Sequence, residues 1–281
     1  MEITRRADSG DDGHARRGGR TLMGGGRKRL AYTRATRRDV VEGPMNPLRT
    51  ALVVAYTVVL GSLGIVLCLL VPGGAALMPL ARLWSRLVLS TYRVRWRASF
   101  PPTFDVSQPS VYMANHQSLF DIPALVLAMP SDFRMVAKRE LLLIPIFGWA
   151  LWLAGFIFID RSDREKAIRK LERTVRTIRR GRSVVVFAEG TRSPDGRLLP
   201  FKKGGFILAL QAGVPIVPVA IRGGGDVLPK GSLRVRPGTI EVVFRAPVPT
   251  TTYSLHTKEA LIAAVRERIV AGLTPSRVES N

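Results

Sequence analysis

The chain has 281 residues, 46% of them hydrophobic and 23% charged, with 43 Lys and Arg against 21 Asp and Glu. Apolar content at that level excludes a wholly disordered chain, and no fixed internal period marks a repeat protein. The single cysteine, Cys68, excludes an intrachain disulfide framework and a cysteine-based zinc site, and a cytosol-facing protein is the simpler reading. The formal charge of +22 calls for an anionic partner: nucleic acid, a membrane surface or an anionic substrate.

Residues 1–46 are rich in Gly, Arg and Asp and lack an apolar run. The expectation is a disordered basic tail, or an over-extended start with Met45 as the true first residue. No charge occurs from Thr50 to Ala81. Within it, Ala51–Val71 would reach about 32 Å as a helix, close to a hydrocarbon thickness of about 30 Å. Pro72-Gly73-Gly74 breaks this helix. The next segment, Ala75–Tyr92, carries Arg82 and Arg86 on one face, as an interfacial helix does. Residues 47–91 therefore read as a membrane-anchoring helical segment. A single span, a hairpin dipping into one leaflet and a buried soluble helix are the three readings open to it.

Residues 92–281 change in texture to short strands alternating with helices. Strands are expected at Tyr92–Arg97, Ser110–Ala114, Gly155–Ile159, Ser183–Ala188, Val214–Ile221 and Thr239–Arg245. Ser162-Asp163-Arg164-Glu165 has capping-box form before an amphipathic helix that inclines Ala167, Ile168, Leu171, Val175 and Ile178 to one face and stops at Gly181. Thr257 is expected to cap a last helix with Leu261, Ile262, Val265 and Ile269 inward. The alternation predicts an α/β domain with a mixed, mainly parallel sheet flanked by helices.

Two clusters carry chemistry. His116 follows a strand in Asn115-His116-Gln117-Ser118-Leu119-Phe120-Asp121, and strand-to-helix turns at the carboxyl edge of such sheets bind ligands. Asp121 can reach back to the imidazole, fix its tautomer and stabilise its charged form, which leaves the other nitrogen as a general base; a simple capping contact is the competing reading. Cys68 lies in the apolar run and no G-x-S-x-G elbow surrounds Ser118, so the nucleophile falls to a hydroxyl on the substrate. In Glu189-Gly190-Thr191-Arg192-Ser193, Gly190 permits close approach, Thr191 offers a short donor and Arg192 a planar fork that suits phosphate. Lys202 and Lys203 at a helix start, and Arg161 at a strand end, add cations that are each unremarkable alone.

With those residues in hand, the stretch from about Tyr92 to Arg245 resembles the glycerolipid acyltransferases, most closely the bacterial 1-acylglycerol-3-phosphate acyltransferases. His116 to Asp121 matches H-x4-D; Gly155 to Arg161 matches G-x-x-F-I-D-R; Glu189 to Arg192 matches E-G-T-R; Val214 to Ile221 matches the fourth block. Lys138-Arg139-Glu140-Leu141 with Ile144-Pro145 and Phe147-Gly148-Trp149 is similar to the family's linker. Ala188 departs from the usual proline, and only a local backbone change is expected there. The resemblance implies that acyl-CoA or acyl carrier protein donates a fatty acyl group to lysophosphatidic acid. His116 would be the base and Asp121 its orienting partner. Arg161 and Arg192 would hold the phosphate, with Lys138 and Lys202 or Lys203 assisting. Glu189 would accept hydrogen bonds from the glycerol or a neighbouring cation. No metal or other cofactor is expected, nor nucleic acid. A membrane surface is the expected partner, with the catalytic domain facing the cytoplasm. Two other readings stand beside this one: an acyltransferase for another lysolipid (a lyso-ornithine lipid, a lysophospholipid or a glycolipid), and a non-enzymatic basic membrane or nucleic-acid-binding protein.

Overall fold

The structure, a computed structural model, describes residues 46–274 except 72, 103 and 161–163. The expected tail up to residue 45, the Ser162-Asp163 cap and Arg161 lie outside the described residues, as do the side chains of Ala167, Ile168 and Leu171. In chain order the helices are α1 Pro47–Leu70, α2 Leu77–Thr91, α3 Asp121–Ala128, α4 Phe147–Leu153, α5 Arg164–Arg179, α6 Gly204–Ala212, α7 Gly224–Val227 and α8 Lys258–Leu273. The strands are β1 Val94–Ser99, β2 Val111–Ala114, β3 Phe133–Lys138, β4 Ile157–Ile159, β5 Ser183–Phe187, β6 Ile216–Arg222 and β7 Gly238–Phe244. They form one sheet in the order β1-β7-β6-β2-β5-β3-β4, parallel except where β6 meets β7. The expected mixed, mainly parallel sheet is what the chain forms.

Helices cover both faces, which is why the central strands are apolar without interruption. Along β2, Tyr112 and Ala114 join the core shared with α1 to α4, and Val111 and Met113 join the core shared with α5, α6 and α8. The chain leaves β2 towards α3 on one face and leaves β5 towards α6 on the other. The carboxyl ends of β2 and β5 therefore flank a topological switch point, where open α/β sheets bind ligands.

The segment expected to anchor the chain is an antiparallel helical hairpin. The Tyr56 hydroxyl meets Thr91 Oγ1 at 2.6 Å, and Trp84 Nε1 donates to Thr57 Oγ1 at 2.8 Å. Asn46 caps α1 through its side-chain oxygen, which accepts from the amides of Leu48 and Arg49. One flank of α1 packs on α2 and α4, yet Leu52, Val58, Val59, Leu63, Val66 and Leu69 stay exposed. That exposure removes the buried soluble helix from the three readings.

Arg82 does not behave as an interfacial cation. Its guanidinium turns inward and donates to Met129 O at 3.1 Å, because α2 lies against α3 and the end of α3 offers that carbonyl. The first expected strand begins later, at Val94, since Tyr92 still closes α2 and Arg93 turns through a positive φ of 56°. Thr257 sits at the start of α8, but its hydroxyl accepts from the Ser254 amide and does not cap the helix.

Candidate active site

Asn115 fixes the end of β2. Its side chain donates to Ile221 O at 2.8 Å and accepts from Ile221 N at 2.6 Å, so the ladder with β6 continues one residue past the strand. His116 follows, with its main chain gripped on both sides. Its N–H donates to Glu189 Oε1 at 2.8 Å, and its carbonyl accepts from Ser193 N at 2.8 Å. The imidazole lies flat on the Phe187 ring at the end of β5, with centroids 3.9 Å apart and 15° between planes. That stack fixes the ring plane. Asp121 fixes its rotation: Oδ2 accepts from His116 Nδ1 at 2.9 Å.

The carboxylate of Asp121 is fully buried at the first turn of α3. Its Oδ2 also accepts from the amides of Gln117 and Ser118, each at 2.7 Å, so the turn from residue 116 to residue 121 closes on one oxygen. An oxygen so engaged is an acceptor, so Nδ1 is the donor in this pair and, in the neutral ring, Nε2 is the nitrogen with the lone pair. The other oxygen, Oδ1, is buried without a hydrogen-bond partner among the described residues. It lies against Gly224, where an added Cβ would stand 1.9 Å from it.

Glu189 takes its hydrogen bonds within the protein from the main chain. It is buried, and its two oxygens accept main-chain amides, His116 N and Leu199 N at 2.8 and 2.9 Å. Both oxygens face the protein because Glu189 closes the space between the two loops it joins. Burial pushes its carboxyl up from the ordinary carboxylate value, and the two amides oppose that only in part. Ala188, the departure from the family pattern, donates its N–H to Ala114 O at 2.8 Å, a bond that proline could not make.

The loop after β5 holds the remaining residues. Gly190 turns it at a φ of +71°. The Arg192 carbonyl and, at 3.5 Å, the Thr191 hydroxyl accept from Lys230 Nζ, while the half-buried Arg192 guanidinium has no partner among the described residues. His116, Asp121, Glu189, Gly190, Thr191 and Arg192 therefore come together at one place. The lysines do not join them equally. Lys202 is tied to the site by its amide, which donates to Ala188 O, but Lys203 pairs with Glu259 and Lys138 with Glu140, both on the exposed surface. Those two cations are answered by carboxylates of their own.

Four contributors carry no local signal in the sequence. Gly224 and Lys230 follow β6 and reach the site only because β6 lies beside β2. Phe187 reads as one more strand residue. Arg266, on α8, donates to the carbonyls of Leu198 and Leu199 and lies 5.3 Å from the Phe201 ring centroid, which steadies the segment that Glu189 grips.

Residues 93–222 match the family model described as Acyltransferase. Among curated proteins, the chain is 33% identical over 219 residues to 1-acyl-sn-glycerol-3-phosphate acyltransferase of Limnanthes alba, covering 76% of this chain and 77% of that protein. It is 40% identical over 178 residues to 1-acyl-sn-glycerol-3-phosphate acyltransferase alpha of Homo sapiens, covering 63% and 62%. The chain spans only 41% and 53% of two further relatives of that description, from Brassica napus and Chlamydomonas reinhardtii. Among solved structures it is similar to the crystal structure of the 1-acyl-sn-glycerophosphate acyltransferase PlsC from Thermotoga maritima. The TM-score is 0.68 at 26% identity, over 80% of this chain and 92% of that one.

Proposed function

The chain belongs to the acyltransferase family of these 1-acyl-sn-glycerol-3-phosphate acyltransferases, and from that premise we propose that it transfers a fatty acyl group from acyl-CoA or acyl carrier protein to the free hydroxyl of 1-acylglycerol-3-phosphate, forming phosphatidic acid. The observation that carries the reading is the His116–Asp121 pair, stacked on Phe187 and set beside the loop of the unpartnered Arg192. In this reading Nε2 of His116 takes the proton of the acceptor hydroxyl as its oxygen attacks the thioester carbonyl carbon. The tetrahedral intermediate collapses, the carbon–sulfur bond breaks, and the imidazolium returns its proton to the leaving thiolate. Asp121 stabilises the imidazolium while it exists. Arg192, with Arg161, holds the acceptor phosphate through planar, charge-assisted hydrogen bonds. Glu189 and Lys230 set the loop that carries Arg192. The transfer runs without metal or cofactor.

The acceptor and product are lipids, so the protein works at a membrane surface. The exposed apolar flank of α1 supports this, as does a helix of 24 residues with the length and composition of a membrane segment. The net charge of +22 adds attraction to anionic lipid, and the catalytic domain faces the cytoplasm in this account. Release of free thiol from acyl-CoA or acyl carrier protein, measured with purified protein against a panel of lysolipids, tests the assignment. Lysophosphatidic acid is expected to give the highest kcat/KM. Preference for a lyso-ornithine lipid or another phosphate-free acceptor overturns the substrate, and no thiol release with any acceptor overturns the enzyme.

A further inference from the structure

A cavity of about 600 Å³ lies at the rim of the sheet and is lined by Ser90, Arg93, Val94, Arg95, Pro237 and Gly238. Val94 opens β1, Gly238 opens β7, and the two are paired in register. β1 and β7 run antiparallel to β6 and β2, so their first residues stand on the same edge of the sheet as the carboxyl ends of β2 and β5. The cavity thus shares an edge with His116. Arg93 and Arg95 line it as exposed cations, and neither guanidinium has a partner among the described residues. Arg93 holds a left-handed backbone with a φ of 56°, and its amide closes α2 by donating to Ser90 O at 3.0 Å. Glycine would take that conformation at lower cost, so a long cationic side chain kept there points to a use for the charge.

Distance separates this cavity from the acceptor phosphate. The strand order puts β7 and β1 on one side of β2 and the Arg192 loop, after β5, on the other. β1 stands four strand spacings from β5, or about 19 Å. In a glycerol 3-phosphate unit the reacting oxygen and the phosphorus are four bonds apart, a reach of about 5 Å. A phosphate held by Arg192 is therefore not the one this cavity meets. The imidazole is nearer. β1 is three spacings from β2, or about 14 Å. Through α7, Gly224 packs against Asp121 and Val227 against Gly238, and the turn between them rises only about 5 Å. The pantetheine arm of an acyl donor runs about thirteen bonds from its sulfur to its phosphorus, or about 15 Å when extended.

We propose that this cavity binds the phosphate at the outer end of the donor's pantetheine arm, with Arg93 and Arg95 as planar forks on its oxygens and the thioester at His116. The proposal deepens the acyl-transfer reading and rests on it. The acceptor then enters from the β5 side and the donor from the β7 side, which brings hydroxyl and thioester to the imidazole from opposite flanks. β1 pairs with β7 alone, so the cavity opens outward at the edge of the sheet. Whatever the phosphate carries beyond the arm, a nucleotide in CoA or a serine of a carrier protein, stays in solvent.

Equilibrium dialysis of the full chain in uncharged detergent tests this without any turnover, with CoA and a holo-acyl carrier protein as probes. The pair Arg93→Gln/Arg95→Gln is compared with Arg176→Gln/Arg180→Gln, which removes the same charge from exposed positions where α5 ends. The first pair is expected to weaken binding of CoA, of the carrier protein or of both roughly tenfold or more, and the second to stay within about twofold of wild type. The donor that loses affinity identifies the source of the phosphate. Losses alike in both pairs, or none in either, overturn the site. Binding of ATP as tight as that of CoA also overturns it, since ATP has phosphates and no arm. So does a loss of binding to phosphatidylglycerol vesicles in the first pair with donor binding unchanged, which would make the two arginines a lipid contact. A KM for the donor that Arg93→Gln/Arg95→Gln leaves unchanged overturns this site alone, whereas a wild type that binds neither donor and releases no thiol overturns the acyl-transfer reading with it.

Discussion

Alanine at Gly224 is the sharpest probe of how the site is held. An added Cβ there would lie 1.9 Å from Asp121 Oδ1, and 3.1 Å from both Asp121 Cγ and Ser118 Cβ. Ordinary contact begins near 3.4 Å, so the carboxylate or the glycine backbone must move by about 1.5 Å. Oδ2 already holds three hydrogen bonds of 2.7 to 2.9 Å, and a shift of that size breaks at least one. Gly224 does not have a positive φ, so its backbone accepts alanine and the strain falls on the carboxylate. A displacement of about 1 Å from productive geometry can lower turnover about 10²-fold. Overpacking at a buried position typically removes about 1–3 kcal/mol of stability, which leaves the fold in place. The assay is thiol release under saturating lysophosphatidic acid, with denaturant unfolding alongside. Gly225→Ala is the control, since its Cβ meets Gln117 alone, Oε1 at 3.4 Å and Cβ at 3.8 Å, and near wild-type turnover is expected for it. A Gly224→Ala protein that turns over like wild type would refute the claim that the packing of Asp121 governs the imidazole.

Three further substitutions have expected outcomes. Glu189→Gln turns an amide nitrogen towards one of the two main-chain N–H groups, so stability falls by about 1–3 kcal/mol and turnover falls with it. Burial raises the Glu189 carboxyl in the fold, so the folded chain keeps more protons than the unfolded chain between the ordinary and the raised value, and this group's contribution to stability falls as pH rises through that window; unfolding free energy measured across it should slope more positively with pH in Glu189→Gln than in wild type. Arg192→Glu should raise KM for lysophosphatidic acid by about tenfold or more while the thermal midpoint stays near wild type, and an unchanged KM removes its phosphate role. Arg266→Met frees the carbonyls of Leu198 and Leu199 and should lower kcat by severalfold with little change in KM for the acyl donor, as steady-state kinetics will read.

The pairing of His116 with Asp121 is legible in the sequence because five residues span a strand end, a turn and a helix start, a distance local geometry can close. The central strands are legible because helices cover both faces and leave no polar side. β3 is not: Phe133–Lys138 carries Arg134 in its middle, a residue that reads as solvated. In the fold that guanidinium is buried, bound to Asp132 Oδ1, Phe133 O and Gly73 O, partners that include a carbonyl 61 residues away. The main-chain partners of Glu189 are hidden for the same reason. An acidic residue beside a predicted cation site suggests an ion pair, whereas its partners are amides, which have no side-chain identity for a sequence to display. Gly224 and Lys230 depend on β6 lying beside β2, a fact of strand order. Arg82 shows the converse, since its helical face was legible and what that face would meet was not.

His116→Ala, assayed by thiol release from the preferred acyl donor with lysophosphatidic acid and checked for folding by circular dichroism, tests the central claim most directly. The account predicts a folded protein whose turnover falls about 10²–10⁴-fold, the share a positioned general base supplies. A folded His116→Ala protein with turnover near that of wild type would contradict it.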